Sequence, residues 1–387
     1  MIPGSAPFRL DGLRTGPPQS WGAVRIVPLL RDAPVEGLRL HRSVYDGGVR
    51  AVDVGDGSRY VAYIPHAFVA TYGDDDAGTA SYGTRMGAAG RAAEPERMAF
   101  GALRRMARRR GRDRLRFLPL HLAVEGYLAL HFGGPEIVWE RLSRRVVAGG
   151  LSPRAEQAVL GLQVAGLEDA LRIFEIHPGQ CGVCVYAADS LASVFIVPHP
   201  DDYRALHATL LEDMFGELIY HYALLMPSTG DLSGRIDAAA VRSLADLRAE
   251  TRRLRAEWAD FHDEVMAGGV LTYGGEYRTV QYLEEFTLGR HLPEFVPGRE
   301  NHISESISHD DGRIAYFKSF RLSEAQVRRG HLLRTLARND WHVQAAAADL
   351  GQTEAAFGLR LDRAGFGDLL RPDVLDLYRA EARRGRA

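Results

Sequence analysis

The segment His177–His207 holds His177, Gln180, Cys181, Cys184, His199, Asp201, Asp202 and His207 within 31 positions, the side-chain types from which a hydrolytic site is built. A thiol beside an imidazole becomes a nucleophile once the base removes its proton. An imidazole and a carboxylate can hold Zn²⁺, and a second carboxylate can then take a proton from the bound water. His177, Cys181, Asp201 and His207 are the candidate catalytic residues; no cofactor is expected, with zinc the alternative. A redox role for Cys181 and Cys184 would place the first thiol at a helix start. The surrounding residues instead alternate like a strand, which sends side chains three apart to opposite faces.

A second chemistry-bearing run is Arg104 to Arg116, where eight arginines stand against Asp113, a charge of +7 over thirteen residues. Guanidinium groups bind phosphate through two parallel hydrogen bonds. Arg104, Arg105, Arg108, Arg109 and Arg112 are thus candidates for a phosphate-bearing ligand, on a helix expected over 97–116 from the spacing of Met98, Leu103 and Met106. Phe117 is the only aromatic beside them, so the stacking of a single-strand binder is missing, and a solvated face is the alternative reading. Lys318 is the chain's only lysine, which leaves no phosphate loop of the G-x-x-x-x-G-K-[ST] type and no expectation of a catalytic lysine with a paired base. His121, His131 and His221 lie in apolar runs and read as hydrogen-bonded core or rim residues.

The elements that must position these residues follow from periodicity and turn chemistry. The chain has 387 residues, 46% hydrophobic and 25% charged, and 48 basic residues against 50 acidic ones give a net charge of -2. These are values of a globular chain of two or three domains, and any nucleic-acid face must be local. Residues 1–20, rich in proline and glycine, read as a loose arm. From Trp21 to about 228 the pattern is β-rich, with AVRIVPLL, YVAYIPHAFVATY, RIFEI, GVCVYA and SVFIV as strands and the last three antiparallel. Leu206, Leu210, Met214, Leu218 and Tyr222 then recur every four residues, as on a helix lying on a sheet. Residues 229–268 form a charged helical connector in which Leu244, Thr251, Trp258 and Val265 repeat every seven residues, with Leu247, Leu254 and Phe261 as the second row. That spacing points to a homodimer through the 244–265 helix, an amphipathic helix on its own domain being the alternative. Residues 269–322 read as an irregular or β linker, with a turn at Tyr273-Gly274-Gly275-Glu276. From Ser323, capped by Gln326, three short helices are expected, then a basic tail to residue 387.

WHVQAAAADLGQTEAAFGLRLDRAGF resembles the Fis-type helix-turn-helix at Ala346, Ala347, Leu350, Gly351, Thr353, Arg360, Leu361 and Gly365. The resemblance implies that the helix from Thr353 to Arg363 enters the major groove of DNA, with Thr353, Glu354, Arg360 and Arg363 as the contacting residues. Glu354, Gly358 and Asp362 depart from that pattern, and from Gly330 onward nine arginines face eight acidic residues. G-Q-C-G-V-C is similar to the active-site run of papain-like proteases, with Pro178 and Val185 in place of that family's glutamine and tryptophan. P-H-P-D-D is similar to zinc-dependent deacetylases, which implies zinc on His199 and Asp202 and a base at Asp201, although Tyr203 replaces their glutamate. The region 21–227, through AVRIVPLL, HLAVEGYLALHFGGPEIVWERLSRR and GQCGVCVYAADSLASVFIVPHPDDYRALHATLLEDMFGEL, resembles the family associated with ADP-ribosylglycohydrolases and rhodanese-phosphatase proteins. That implies neighbours handling ADP-ribose or phosphate.

The fold expected is α+β: a β-rich N-terminal domain with packed helices, a charged helical connector and a C-terminal three-helix domain. The function expected is a homodimeric DNA-associated regulator, rather than an enzyme, whose N-terminal domain binds a phosphate-bearing ligand of nucleotide type or a protein partner. The alternatives are a metal- or cysteine-dependent hydrolase and an interaction scaffold. With only Cys181 and Cys184, no signal-peptide pattern and no membrane-length apolar run, a cytoplasmic location away from membranes is expected.

Overall fold

The computed structural model describes residues 12–40, 61–64, 69–72, 78–87, 96–99, 117–132, 141, 161, 164–188, 190–227, 236–261 and 275–384. The chain is α+β. Its first strands are β1 (Leu13–Thr15), β2 (Gln19–Trp21), β3 (Val24–Arg31), β4 (Leu38–Leu40), β5 (Val61–Ile64), β6 (Val69–Tyr72), β7 (Gly78–Tyr82), β8 (Arg85–Gly87) and β9 (Glu96–Ala99), followed by α1 (Leu120–Phe132). Next come β10 (Gln180–Ala187), β11 (Ser190–Ile196), α2 (Pro200–Thr209), α3 (Leu244–Phe261), β12 (Gly275–Leu283), β13 (Phe286–Pro293), β14 (His302–His309) and β15 (Ile314–Arg321). The described chain closes with α4 (Glu324–Arg338), α5 (Val343–Asp349), α6 (Glu354–Leu361) and α7 (Pro372–Arg384).

A nine-stranded sheet in the order β1-β3-β10-β11-β15-β14-β13-β12, with β2 also on β3, organises the molecule. All its pairings are antiparallel. Every residue of β10 and nearly every residue of β3 and β11 is buried, as the near-continuous apolar runs VRIVPLL, VCVY and LASVFI require of strands covered on both faces. Two three-stranded sheets, β4-β5-β8 and β6-β7-β9, stand beside it. The helix after Pro200 continues beyond Thr209 through π turns at Leu210–Met214 and Tyr220–Leu224, and buries the expected row Leu206, Leu210, Met214 and Leu218.

Several sequence expectations need correction. Residues 97–99 belong to β9, paired with β7, so the helix expected over 97–116 does not include its first turn. RIFEI is no strand: Leu171–Ile173 is a 3-10 turn after the one-turn helix Leu167–Ala170. The stretch 269–322 is not a linker between domains, because its four strands continue the sheet from β11 through β15. The β12–β13 hairpin turns at Glu284–Glu285, with Leu283 opposite Phe286 and Glu284 at φ 51°, and no glycine marks it. The β14–β15 hairpin turns through Asp310, Asp311 and Gly312, the glycine at φ 86°. The basic tail is largely a helix, α7.

The C-terminal helices join the sheet's body through α1. Arg329 of α4 donates from Nε and Nη2 to the Glu125 carboxylate at 2.5–2.9 Å, and both side chains are buried. Gln326 Nε2 donates to the His121 carbonyl at 3.2 Å. The Gln326 Oε1 and Ser323 Oγ atoms close the reciprocal cap anticipated for this helix. Removing one member of a buried pair strands the other charge away from water, so Arg329→Met should lower unfolding free energy by about 3–5 kcal/mol, with the Glu125→Gln/Arg329→Met double variant losing less. Urea unfolding midpoints measure both.

Candidate functional site

The His177–His207 segment has its polar groups taken up by the fold. Cys181 is buried, its thiol donating to the Leu29 carbonyl at 3.6 Å. Burial pushes that thiol up to about 11, overriding the nearby Arg31 guanidinium, so it is protonated near neutrality. Neither cysteine is in a disulfide and Cys184 is also buried. His199, rather than Asp201 or Asp202, caps α2, its Nδ1 accepting from the Asp201 N–H at 3.1 Å. Asp202 is buried, Oδ1 accepting from Arg39 Nη2 at 3.2 Å and Oδ2 from the Leu40 N–H at 2.9 Å. Burial raises its carboxyl, and the Leu40 N–H and Arg39 oppose that rise. Asp201 is exposed.

His207 sits between Tyr203 OH at 3.0 Å from Nδ1 and the Phe174 carbonyl at 3.1 Å from Nε2. Only Nε2 can donate to the carbonyl, so Nδ1 accepts from the tyrosine, and burial holds the ring's pKa down in that neutral form. His177 Nε2 lies 2.9 Å from Gln19 Nε2. Among the described residues no three His, Cys, Asp or Glu side chains are grouped to hold a metal. The arginines proposed for phosphate, Arg104, Arg105, Arg108, Arg109 and Arg112, lie outside the described residues. His131 and His221 both have their pKa values lowered by burial, as expected of rings in apolar runs.

Buried charge among the described residues gathers in a second place, which no sequence motif marks. Arg290, Glu305 and Lys318 are directly opposite one another on β13, β14 and β15, so they share one face of the sheet. Lys318 Nζ is 2.5 Å from Glu305 Oε2 and Arg290 Nε is 2.9 Å from Oε1. The Thr84 N–H reaches both carboxylate oxygens at 3.0–3.1 Å. Tyr127 of α1 lies 5.5 Å from the lysine and 5.9 Å from the arginine, ring centroid to cation. The only lysine therefore does have a paired carboxylate. One signal was present: in IAYFKSF, Lys318 occupies the same pleat as Tyr316 and Phe320, where an apolar residue belongs.

Burial alone would raise the Glu305 carboxyl, but Lys318 and Arg290 beside it hold it down at about 2. Lys318 is lowered to about 8 by burial, against the attraction of Glu305. A carboxyl whose folded pKa lies below its unfolded value stabilises the fold fully above about pH 4.5 and progressively less as pH falls toward 2. Glu305→Gln should therefore cost about 3 kcal/mol at pH 7, and its deficit against the parent chain should shrink between pH 4.5 and 2. Urea titrations at several pH values read that convergence.

The C-terminal helices present a different kind of surface. After α5 the chain turns at Gly351, whose φ of +62° suits glycine. Thr353 Oγ1 then caps α6 by accepting from the Ala356 N–H at 3.2 Å. Phe357, Leu361 and Phe366 are buried. The three departures from the helix-turn-helix pattern all meet α7. Gly358 lies where any Cβ would come within 2.5 Å of the Tyr378 ring. Tyr378 OH donates to Glu354 Oε1 at 2.5 Å, and Arg379 pairs with Asp362 at 3.1 Å. Thr353, Glu354, Ala356 and Arg363 are exposed on α6 and its extension and Arg360 is half-buried; Thr353, Ala356, Arg360 and Arg363 recur at helical spacing as one stripe. Of the four residues proposed to contact DNA, Thr353, Arg360 and Arg363 share that stripe, while Glu354 turns toward α7. Among the described residues no helix is long and apolar enough to cross a membrane.

No curated protein and no solved structure matches this chain. The sequence pattern of the ARPP-2 family matches residues 8–284, from before β1 to the turn after β12. Three strands that complete the sheet, β13 to β15, thus lie beyond the matched segment, as does the whole C-terminal helical region. Because the match covers more than half of its residues, the chain belongs to the ARPP-2 family.

Proposed function

We propose that this ARPP-2 chain is a homodimeric, DNA-associated regulatory protein that contacts duplex DNA through α6. The observation that carries the reading is the open stripe Thr353–Ala356–Arg360–Arg363, left uncovered while the acidic side chains of the same helix are engaged by α7. Asp362 would otherwise repel phosphate, and its pairing with Arg379 lessens that repulsion, while the hydrogen bond from Tyr378 holds the Glu354 carboxylate toward α7. Arg360 and Arg363 then supply guanidinium groups suited to guanine edges or phosphates.

Dimerisation through α3 is the second part of the proposal. None of the side chains described on α3 is buried, and Leu244 and Leu247 are 64% and 38% exposed. An apolar row at heptad spacing left in water is suited to a second copy of itself, and Arg253 bridges Glu250 and Glu257 on the helix surface. Two α6 helices so joined would meet half-sites about one helical turn apart. The regulatory input is a phosphate-bearing ligand of nucleotide type or a protein partner taken by the N-terminal part, a reading supported by the +7 arginine run Arg104–Arg116. The alternative of a hydrolase at His177–His207 has less support, because Cys181, Asp202 and His207 are engaged in the packing described above.

Selection of random duplexes on the purified chain should enrich a symmetric site whose affinity falls steeply with salt. Arg360→Ala and Arg363→Ala should each weaken that site by about ten- to a hundredfold. No enrichment, or affinity unchanged in both variants, would remove α6 from any role in DNA binding. Leu247→Asp/Leu254→Asp should convert a dimer to a monomer in sedimentation velocity and weaken DNA binding with it, and a parent chain that is already monomeric would contradict the seam.

A further inference from the structure

An open pocket of about 580 Å³ lies where α1 and the later turns of the α2 helix meet the start of α4 and the loop before β14. Leu120, Leu218 and Val327 give it an apolar floor, with Tyr222 at its side. Arg299, Arg321 and Arg328 line it together with Glu300 and Glu324. Arg321 is 3.5 Å from Glu300, and Arg328 is 3.2 Å from Glu324. Arg299 is exposed and has no ion-pair partner among the described residues. The lining arginines thus exceed the carboxylates by one, and the surplus guanidinium stands above an apolar surface.

We propose that this pocket binds a small organic monoanion, a single oxyanion group carried on an apolar, preferably aromatic, body. The pocket's volume lies within the range of about 300–1,000 Å³ usual for small-molecule sites, and its lining mixes polar and apolar side chains. The oxyanion sits on Arg299, which forms charge-assisted hydrogen bonds without having to leave another partner, and the body lies on Leu120, Leu218 and Val327. With one guanidinium in surplus over the lining carboxylates, a single negative charge is what the pocket balances. The pocket is walled both by the family-matched segment, through Leu120 and Leu218, and by the segment beyond it, through Arg299 and Val327. A bound molecule therefore touches α4, the helix that leads into α5 and α6. The proposal rests on the regulatory reading only for what the ligand would control.

Binding is tested on the full chain without DNA, so its failure and a failure of DNA binding are separate results. The probes are 8-anilinonaphthalene-1-sulfonate, an aromatic monoanion, and N-phenyl-1-naphthylamine, the same rings without the sulfonate. The sulfonate should bind one site at least about tenfold more tightly than the neutral amine, the preference expected of one good charge-assisted contact. Arg299→Gln, at an exposed position, should abolish that preference, and Tyr282→Ser, at an exposed position on β12, should leave it intact. Equal binding of the two probes, or a sulfonate preference that survives Arg299→Gln or disappears in Tyr282→Ser, would overturn the proposal.

Discussion

A carboxylate and a guanidinium buried against each other, Glu125 on α1 and Arg329 on α4, determine where the C-terminal helices of this molecule sit. Two charges removed from water are stable only while they face one another. The helix that carries Arg329 cannot swing away from the sheet without exposing both. From that contact α5, α6 and α7 follow in order through capped turns, and Phe357, Leu361 and Phe366 pack into the same core as the sheet residues. The row Arg290–Glu305–Lys318 applies the same rule inside the sheet, fixing the pairing of β13, β14 and β15 by charge as well as by pattern. Shifting one of these strands by a residue would turn a charge to the opposite face and separate it from its partners.

These constraints bear on function because they place the pocket, the fixed start of α4 and the open stripe of α6 on connected elements. A regulator needs a ligand site and an output surface whose relative positions depend on the ligand. In the regulator proposed above, the pocket wall and α6 share one helical path, from Val327 through α4 and α5 to Thr353. Helix α7 engages the acidic side chains of α6 and its extension, so the departures from the helix-turn-helix pattern at Glu354, Gly358 and Asp362 have packing explanations.

Much of this was legible in the sequence. The apolar runs of β3, β10 and β11, the four-residue periodicity after Pro200, the Ser323–Gln326 cap and the Gly351–Thr353 turn all rest on local chemistry that a single chain displays. The strands from 275 to 321 are harder to see in sequence, because the β12–β13 hairpin turns at two glutamates and because serine, histidine and a glycine interrupt the apolar alternation of β13 and β14, although Gly312 marks the β14–β15 turn. The partner of Lys318, Glu305, is a neighbour only across strands. The guanidinium that meets Asp202, that of Arg39, is likewise 163 residues away in sequence. Long-range electrostatic pairing leaves no periodic trace, whereas caps and amphipathic faces do.

Hydrogen exchange of the full chain, with and without duplex DNA at low salt, tests the central claim most directly. The account predicts slowed exchange of the backbone amides from Thr353 to Arg363, with those of the His177–His207 segment unchanged. Unchanged exchange in α6, or protection confined to His177–His207, would contradict it.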